Sequence, residues 1–87
     1  MDTRVTIGWN LRALRVAKGL SQERLALEAG IDRSYVGRVE RGSENVTVAS
    51  LDAFARVLEV PVRRLFEDVS DDAQLARGLP SGRKPRL

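Results

Sequence analysis

Residues 21–42 read SQERLALEAGIDRSYVGRVERG, and the spacing of their apolar residues predicts two short helices joined by a tight turn. Two such helices bury their facing sides against each other, which requires small or apolar residues at fixed offsets around the turn. Gly30 permits a left-handed turn residue, and Ala26 is small where the second helix crosses close to the first. The small and apolar residues thus stand at the offsets that this geometry requires, which predicts a helix-turn-helix over residues 21–41. The other inward positions are Leu25, Ala29, Ile31, Val36 and Val39.

The same register predicts which residues of the second of these helices face outward. A helix in the major groove presents its N-terminal residues to base edges, and an Arg can donate two hydrogen bonds to guanine. We therefore expect Arg33 and Arg38 to read bases, although a merely solvated arginine face is the alternative. Gly37 costs about 1 kcal/mol relative to Ala in a helix interior, and close approach of the backbone to DNA would explain that cost. The outward positions are Arg33, Ser34, Gly37, Arg38 and Arg41.

Length and composition limit the class of protein. The 87 residues suffice for one domain with a modest core. Neither Cys nor His occurs, which excludes disulfides, thiolate nucleophiles and imidazole acid–base chemistry. We therefore expect a protein that is not an enzyme and that uses no cofactor and no metal. The first residues contain no apolar run, so we also expect no signal peptide, no membrane partner and a cytoplasmic location.

The arginine content of the chain is compatible with binding to nucleic acid, although a high genomic GC content gives the same bias. The net charge is +3, and every basic residue except Lys18 and Lys84 is an Arg. The planar guanidinium of Arg suits phosphate groups and guanine edges better than the ammonium of Lys does.

The residues on either side of the turn predict one more helix, before it, and the N-caps of the two helices that the turn joins. An apolar stripe of Ile7, Leu11 and Leu14 indicates a helix over residues 7–18, which Gly19 ends. Ser21 and Asp32 are candidate N-caps for the second and third helices.

The residues after the turn predict two further helices. Thr47 is a candidate N-cap, and Pro61 suits the first turn of a helix over residues 61–66. Beyond residue 69 the apolar pattern decays. The sequence therefore predicts an all-α fold, a compact five-helix domain over residues 1–69, with a flexible C-terminal tail over residues 70–87. The buried face of the fourth helix is expected to consist of Leu51, Phe54, Ala55 and Leu58.

The chain from about residue 7 to residue 66 resembles the lambda-repressor-like helix-turn-helix family. Within that family it is similar to the controller proteins of restriction-modification systems, and the most specific part is DRSYVGRVERGSENVTV, residues 32–48. The resemblance implies a five-helix domain that binds double-stranded DNA. It also implies a homodimer on a pseudopalindromic operator, acting as a transcriptional regulator.

The resemblance also implies roles for individual residues. Base edges would be read by Arg33, Ser34, Tyr35 and Arg38, although Tyr35 is equally well explained as a partly packed aromatic. Phosphate would be contacted by Gln22, Arg41, Ser43 and Asn45. Arg15 and Glu40 would form a partly buried ion pair between the first and third helices. Glu44 departs from what a phosphate-binding loop requires.

The residues near the end of the domain predict a dimer interface. Val60, Val62, Leu65 and Phe66 are too many apolar residues for one small domain to bury in so short a stretch. A twofold dimer through this surface would place two recognition helices roughly 34 Å apart, one turn of DNA. The alternative is that a fifth helix caps the core, which would account for Leu65 or Phe66 but not for the whole set.

The sequence leaves three functions open. The first is a regulator of a restriction-modification locus or another small operon, which would also contact RNA polymerase if it activates transcription. The second is the antitoxin of a toxin-antitoxin pair, with residues 70–87 available to bind the toxin. The third is a helical protein-interaction module that does not bind DNA.

Overall fold

The computed structural model of the chain describes residues 2–69. All the regular secondary structure within them is helical, as predicted. The fifth helical element, however, is a 3-10 helix rather than an α-helix. The predicted tail at residues 70–87 lies outside the described residues. The elements are α1 (Thr3–Ala17), α2 (Gln22–Ala29), α3 (Arg33–Glu40), α4 (Val48–Leu58) and the 3-10 helix Val62–Phe66.

Two of the predicted N-caps make the expected hydrogen bonds. The Ser21 hydroxyl accepts from the main-chain N–H of Arg24 at 3.0 Å, and the Thr47 hydroxyl accepts from that of Ser50 at 3.1 Å. Asp32 occupies the N-cap position of α3 but makes no such bond. Its carboxylate instead accepts a hydrogen bond from the Ser34 hydroxyl.

The first helix starts four residues earlier than its apolar stripe predicts. The Asp2 carboxylate accepts from the main-chain N–H of Arg4 at 2.8 Å and caps α1 at Thr3. Hydrogen bonds from the Arg4 guanidinium and, to a smaller extent, from the Arg4 main-chain N–H lower the pKa of the Asp2 carboxyl group. The first turn of α1 is missed because three of its four residues, Thr3, Arg4 and Thr6, are polar, so no apolar period marks the turn.

The core is built from side chains of all four α-helices and the 3-10 helix. Helix α1 packs against α3 and the 3-10 helix, while α2 packs against α3 and α4. Gly30 adopts the left-handed conformation at φ 70°, as predicted for the turn. All the predicted inward positions of the helix-turn-helix are buried except Ile31, which is half-buried against the core. The largest fully buried side chains are Phe54, Leu11, Leu25, Leu65, Val36 and Val39.

Gly8 sets the distance between α1 and α3. A Cβ atom at this position would lie 2.3 Å from the Val39 carbonyl oxygen and 2.8 Å from that of Glu40. These atoms belong to the backbone, so no side-chain rotation can relieve the contact. The close approach of α1 to α3 thus depends on a glycine that the apolar stripe did not identify.

Candidate nucleic-acid interface

The N-terminus of α2 and the outward face of α3 form one shallow concavity. The helix-turn-helix geometry brings these surfaces together, because the turn at Gly30 places the start of α2 beside the middle of α3. Three of the lining residues are arginines. The residues that line the concavity are Gln22, Arg33, Ser34, Gly37, Arg38 and Arg41.

A buried carboxylate ties α1, α2 and α3 together behind this surface. Glu40 is only 3 % exposed, and its carboxylate accepts from Arg15 at 2.6 Å (Nε to Oε2) and 3.0 Å (Nη2 to Oε1). Arg15 also donates to the main-chain oxygen of Leu20 at 2.8 Å. The ion pair implied by the resemblance is therefore formed. The Arg15 guanidinium makes a further hydrogen bond to main chain within the protein.

Gln22 joins the same network, a contact that the sequence analysis did not predict. Its Nε2 donates to Oε1 of Glu40 at 2.9 Å. The amide of Gln22 is therefore oriented by Glu40 at the edge of the concavity.

Arg38 is held from three directions. Its Nε donates to Oε1 of Glu44 at 2.7 Å, and its Nη1 lies 3.4 Å from the Ser34 hydroxyl. The guanidinium also lies over the Tyr35 ring, 5.7 Å from the ring centroid. The hydrogen bond to Glu44 raises the pKa of the Arg38 guanidinium above its usual range. Arg38 is thus ordered before any ligand arrives.

The other two arginines of the concavity are less constrained. Within residues 2–69, Arg33 and Arg41 form no ion pair, and both are exposed. The Nη1 of Arg41 lies 3.2 Å from the position that a Cβ of Gly37 would occupy. The absence of a side chain at Gly37 thus leaves space for the Arg41 side chain. The sequence analysis considered only close approach of the backbone to DNA as a reason for this glycine.

The loop after α3 satisfies its own polar groups. The main-chain N–H and the hydroxyl of Ser43 both donate to the Arg38 carbonyl oxygen, at 3.0 and 3.2 Å. Gly42 takes a left-handed φ of 78° and packs against Val5. Both donors of Ser43 are therefore engaged within the protein, in contrast to the expectation that they face phosphate. Asn45 is exposed.

Tyr35 contributes to packing. Its ring lies against the core, and its hydroxyl accepts from the main-chain N–H of Thr47 at 3.3 Å. This contact joins α3 to the start of α4. Of the two roles considered for Tyr35, the structure provides this packing role, and contact with a base stays a prediction.

One residue of the predicted dimer interface is wrongly assigned. Leu65 is fully buried in the core of its own domain, and its main-chain oxygen accepts from Nδ2 of Asn10 at 3.1 Å. Val60 is half-buried against the core. Val62 and Phe66 remain 37 % and 43 % exposed. Leu65 therefore belongs to the core of its own domain, and Val62 and Phe66 are the exposed apolar side chains of the 3-10 helix.

The described part of the chain has neither a candidate metal site nor a candidate membrane-spanning helix. No cluster of three or more acidic side chains there could hold a metal ion. None of the helices in residues 2–69 has the length and apolar character needed to cross a membrane.

Comparison with protein families decides the classification. The profile described as helix-turn-helix matches residues 11–65, more than half of the chain. The chain belongs to the helix-turn-helix family of DNA-binding transcriptional regulators. The matched span contains α2, α3 and all of the concavity.

Individual relatives are regulators of transcription. The chain is 41 % identical over 65 residues to a hypothetical transcription factor of Neisseria meningitidis, and the match spans 75 % of the chain and 61 % of that protein. Its fold is similar to the restriction-modification controller protein C.AhdI from Aeromonas hydrophila, with a TM-score of 0.71 and 52 % identity, covering 72 % of this chain and 96 % of that one. It is also similar to the biofilm regulator SinR, solved in complex with DNA, with a TM-score of 0.68 and 34 % identity, covering 70 % of this chain and 98 % of that one.

Proposed function

We propose that the protein binds a pseudopalindromic DNA operator as a homodimer, with α3 in the major groove, and so controls a restriction-modification locus or another small operon. The observation that carries the proposal is the concavity between α2 and α3, because it gathers three arginines on the face that a helix-turn-helix presents to DNA. The proposed activity is binding and not catalysis.

The side chains in and beside the concavity are proposed to make two kinds of contact, with bases and with phosphates. Arg33 and Arg38 can each donate two hydrogen bonds to O6 and N7 of a guanine, with Ser34 and Tyr35 beside them as further base contacts. Arg41, Gln22 and Asn45 are expected to contact phosphate and so to set the register of the protein on the duplex. Ser43 would join them only by exchanging its bonds to the Arg38 carbonyl oxygen.

DNA binding is tested with the duplex upstream of the protein's own gene and a scrambled duplex of equal composition. We expect tight binding with preference for the upstream duplex, and an affinity that falls steeply with salt as counterions are released. Arg33→Ala should weaken specific binding by about 1–3 kcal/mol, since one bidentate base contact is lost. Arg56→Ala is the matched control, because Arg56 is exposed on α4 and does not line the concavity. Equal, weak and salt-insensitive binding to both duplexes would instead favour a protein-interaction module.

Dimerisation is tested at the exposed part of the predicted interface. Phe66→Glu combined with Val62→Glu should yield a folded monomer, because both side chains are partly exposed and the change places charge in the proposed contact. Leu27→Glu is the control, since Leu27 is 71 % exposed on α2. Sedimentation equilibrium gives the oligomeric state, and the same samples give operator affinity. A proven monomer with undiminished operator affinity would contradict the dimer proposal.

A further inference from the structure

A carboxylate lies beside the face proposed to meet DNA. Glu44 comes six residues after Arg38, in the loop that follows α3, and pairs with it at 2.7 Å. The side chain of Glu44 is 25 % exposed and that of Arg38 is 43 % exposed, so the pair lies at the surface. A negative charge here repels phosphate and lowers the affinity for DNA of any sequence. A loop that served only to bind phosphate would favour a neutral or basic residue at this position.

The pair leaves the reading end of Arg38 available. Glu44 accepts from Nε, on the side of the guanidinium, while the two terminal nitrogens carry the remaining N–H groups. Ser34 and the Tyr35 ring restrict the same side chain from two other directions. A free Arg side chain loses rotamer entropy when it is fixed, and this arrangement removes part of that loss before DNA binds.

The fold of the loop is supported by contacts that do not involve Glu44. Ser43 donates twice to the Arg38 carbonyl oxygen, and Gly42 packs on Val5. The Tyr35 hydroxyl accepts from the main-chain N–H of Thr47 at the other end of the loop. Glu44 can therefore be replaced without removing these anchors.

We propose that Glu44 determines sequence specificity by positioning Arg38 for a guanine edge while reducing the attraction of the protein for all other DNA. This inference rests on the proposed function. On a sequence without guanine at the contact, Arg38 stays neutralised by Glu44 and adds little attraction to phosphate. At a guanine, the terminal nitrogens make two hydrogen bonds while Nε keeps its bond to Glu44.

The test compares two duplexes and five proteins: the wild type, Glu44→Gln, Arg38→Ala, the double variant of both changes, and Glu28→Gln. The specific duplex is selected from a random-sequence library with the wild-type protein, and its scrambled form is the non-specific probe. Glu44→Gln should bind the scrambled duplex more tightly and lower the ratio of specific to non-specific affinity by about tenfold, within the range for one base contact. In an Arg38→Ala background, Glu44→Gln should still strengthen scrambled-duplex binding but leave the ratio unchanged. Glu28→Gln is the charge-matched control, because Glu28 pairs with Arg24 on α2 and lies outside the concavity.

A measurement without DNA separates this inference from the proposed function. In the free protein, the Nε–H of Arg38 should give a distinct, exchange-protected NMR resonance. Glu44→Gln should reduce that protection, because a neutral amide oxygen accepts more weakly than a carboxylate, and Glu28→Gln should retain it. Failure of the wild-type protein to select any duplex would overturn the proposed function. Selection of a duplex together with an unchanged ratio in Glu44→Gln, or an equal loss in the Arg38→Ala background, would overturn the role of Glu44 alone.

Discussion

Glu40→Ala is expected to lower the free energy of unfolding by about 3–5 kcal/mol, the cost of removing one partner of a buried ion pair. The change leaves the Arg15 guanidinium, whose side chain is 11 % exposed, without its carboxylate partner, and it removes the acceptor of Gln22. Domains of this size are stable by roughly 5–15 kcal/mol, so the loss is a large fraction of the total. Urea unfolding followed by circular dichroism measures the effect.

Two variants show whether the buried charge is responsible. Glu28→Ala removes a carboxylate from an exposed i, i+4 pair with Arg24 and should cost less than about 0.5 kcal/mol. Replacing both members, as Arg15→Met with Glu40→Leu, should recover most of the loss because no charge is then buried alone. Equal and small effects of Glu40→Ala and Glu28→Ala would show that the network does not stabilise the fold.

Gly8→Ala is expected to destabilise the protein by at least about 1–3 kcal/mol, the usual cost of overpacking a core. The added methyl group meets two carbonyl oxygens of α3, so α1 must move away from the helix that carries Arg33 and Arg38. The melting temperature and the urea midpoint should both fall, although Ala is the better helix former of the two residues.

Gly37→Ala provides the matched comparison. It is also a glycine within a helix, but the new methyl group would meet only the end of the Arg41 side chain at 3.2 Å, which can move. Its stability should stay near that of the wild type or rise by up to about 1 kcal/mol. If Gly8→Ala were as stable as Gly37→Ala, the close packing of α1 on α3 would not be required.

The helix-turn-helix was predictable because its determinants are local. Small and apolar residues around Gly30 occur at offsets that allow one geometry, and Ser21 and Thr47 mark helix starts by their own hydroxyl groups. The start of α1 was missed because a polar turn leaves no period to detect. A signal for Gly8 was present, since a glycine three residues before Leu11 falls on the inward stripe of the helix.

The finer geometry of the candidate site could not be predicted from the sequence, because it depends on contacts between distant segments. The pairing of Arg38 with Glu44 depends on the path of the loop, and the bond from Gln22 to Glu40 depends on how α2 crosses α3. The burial of Leu65 depends on how the 3-10 helix packs against α1 and α4, which apolar content alone does not specify.

The concavity between α2 and α3 is the surface proposed to contact DNA. A titration followed by NMR tests this assignment most directly. The selected duplex is added to the labelled protein, and changes in the main-chain amide and Arg Nε–H resonances are mapped onto the structure. We expect the largest changes at Gln22, across Arg33–Glu40 and in the loop at residues 41–45, with little change on the exposed face of α2 around Leu27. Changes centred on that opposite face, or none at saturating duplex, would contradict the assignment.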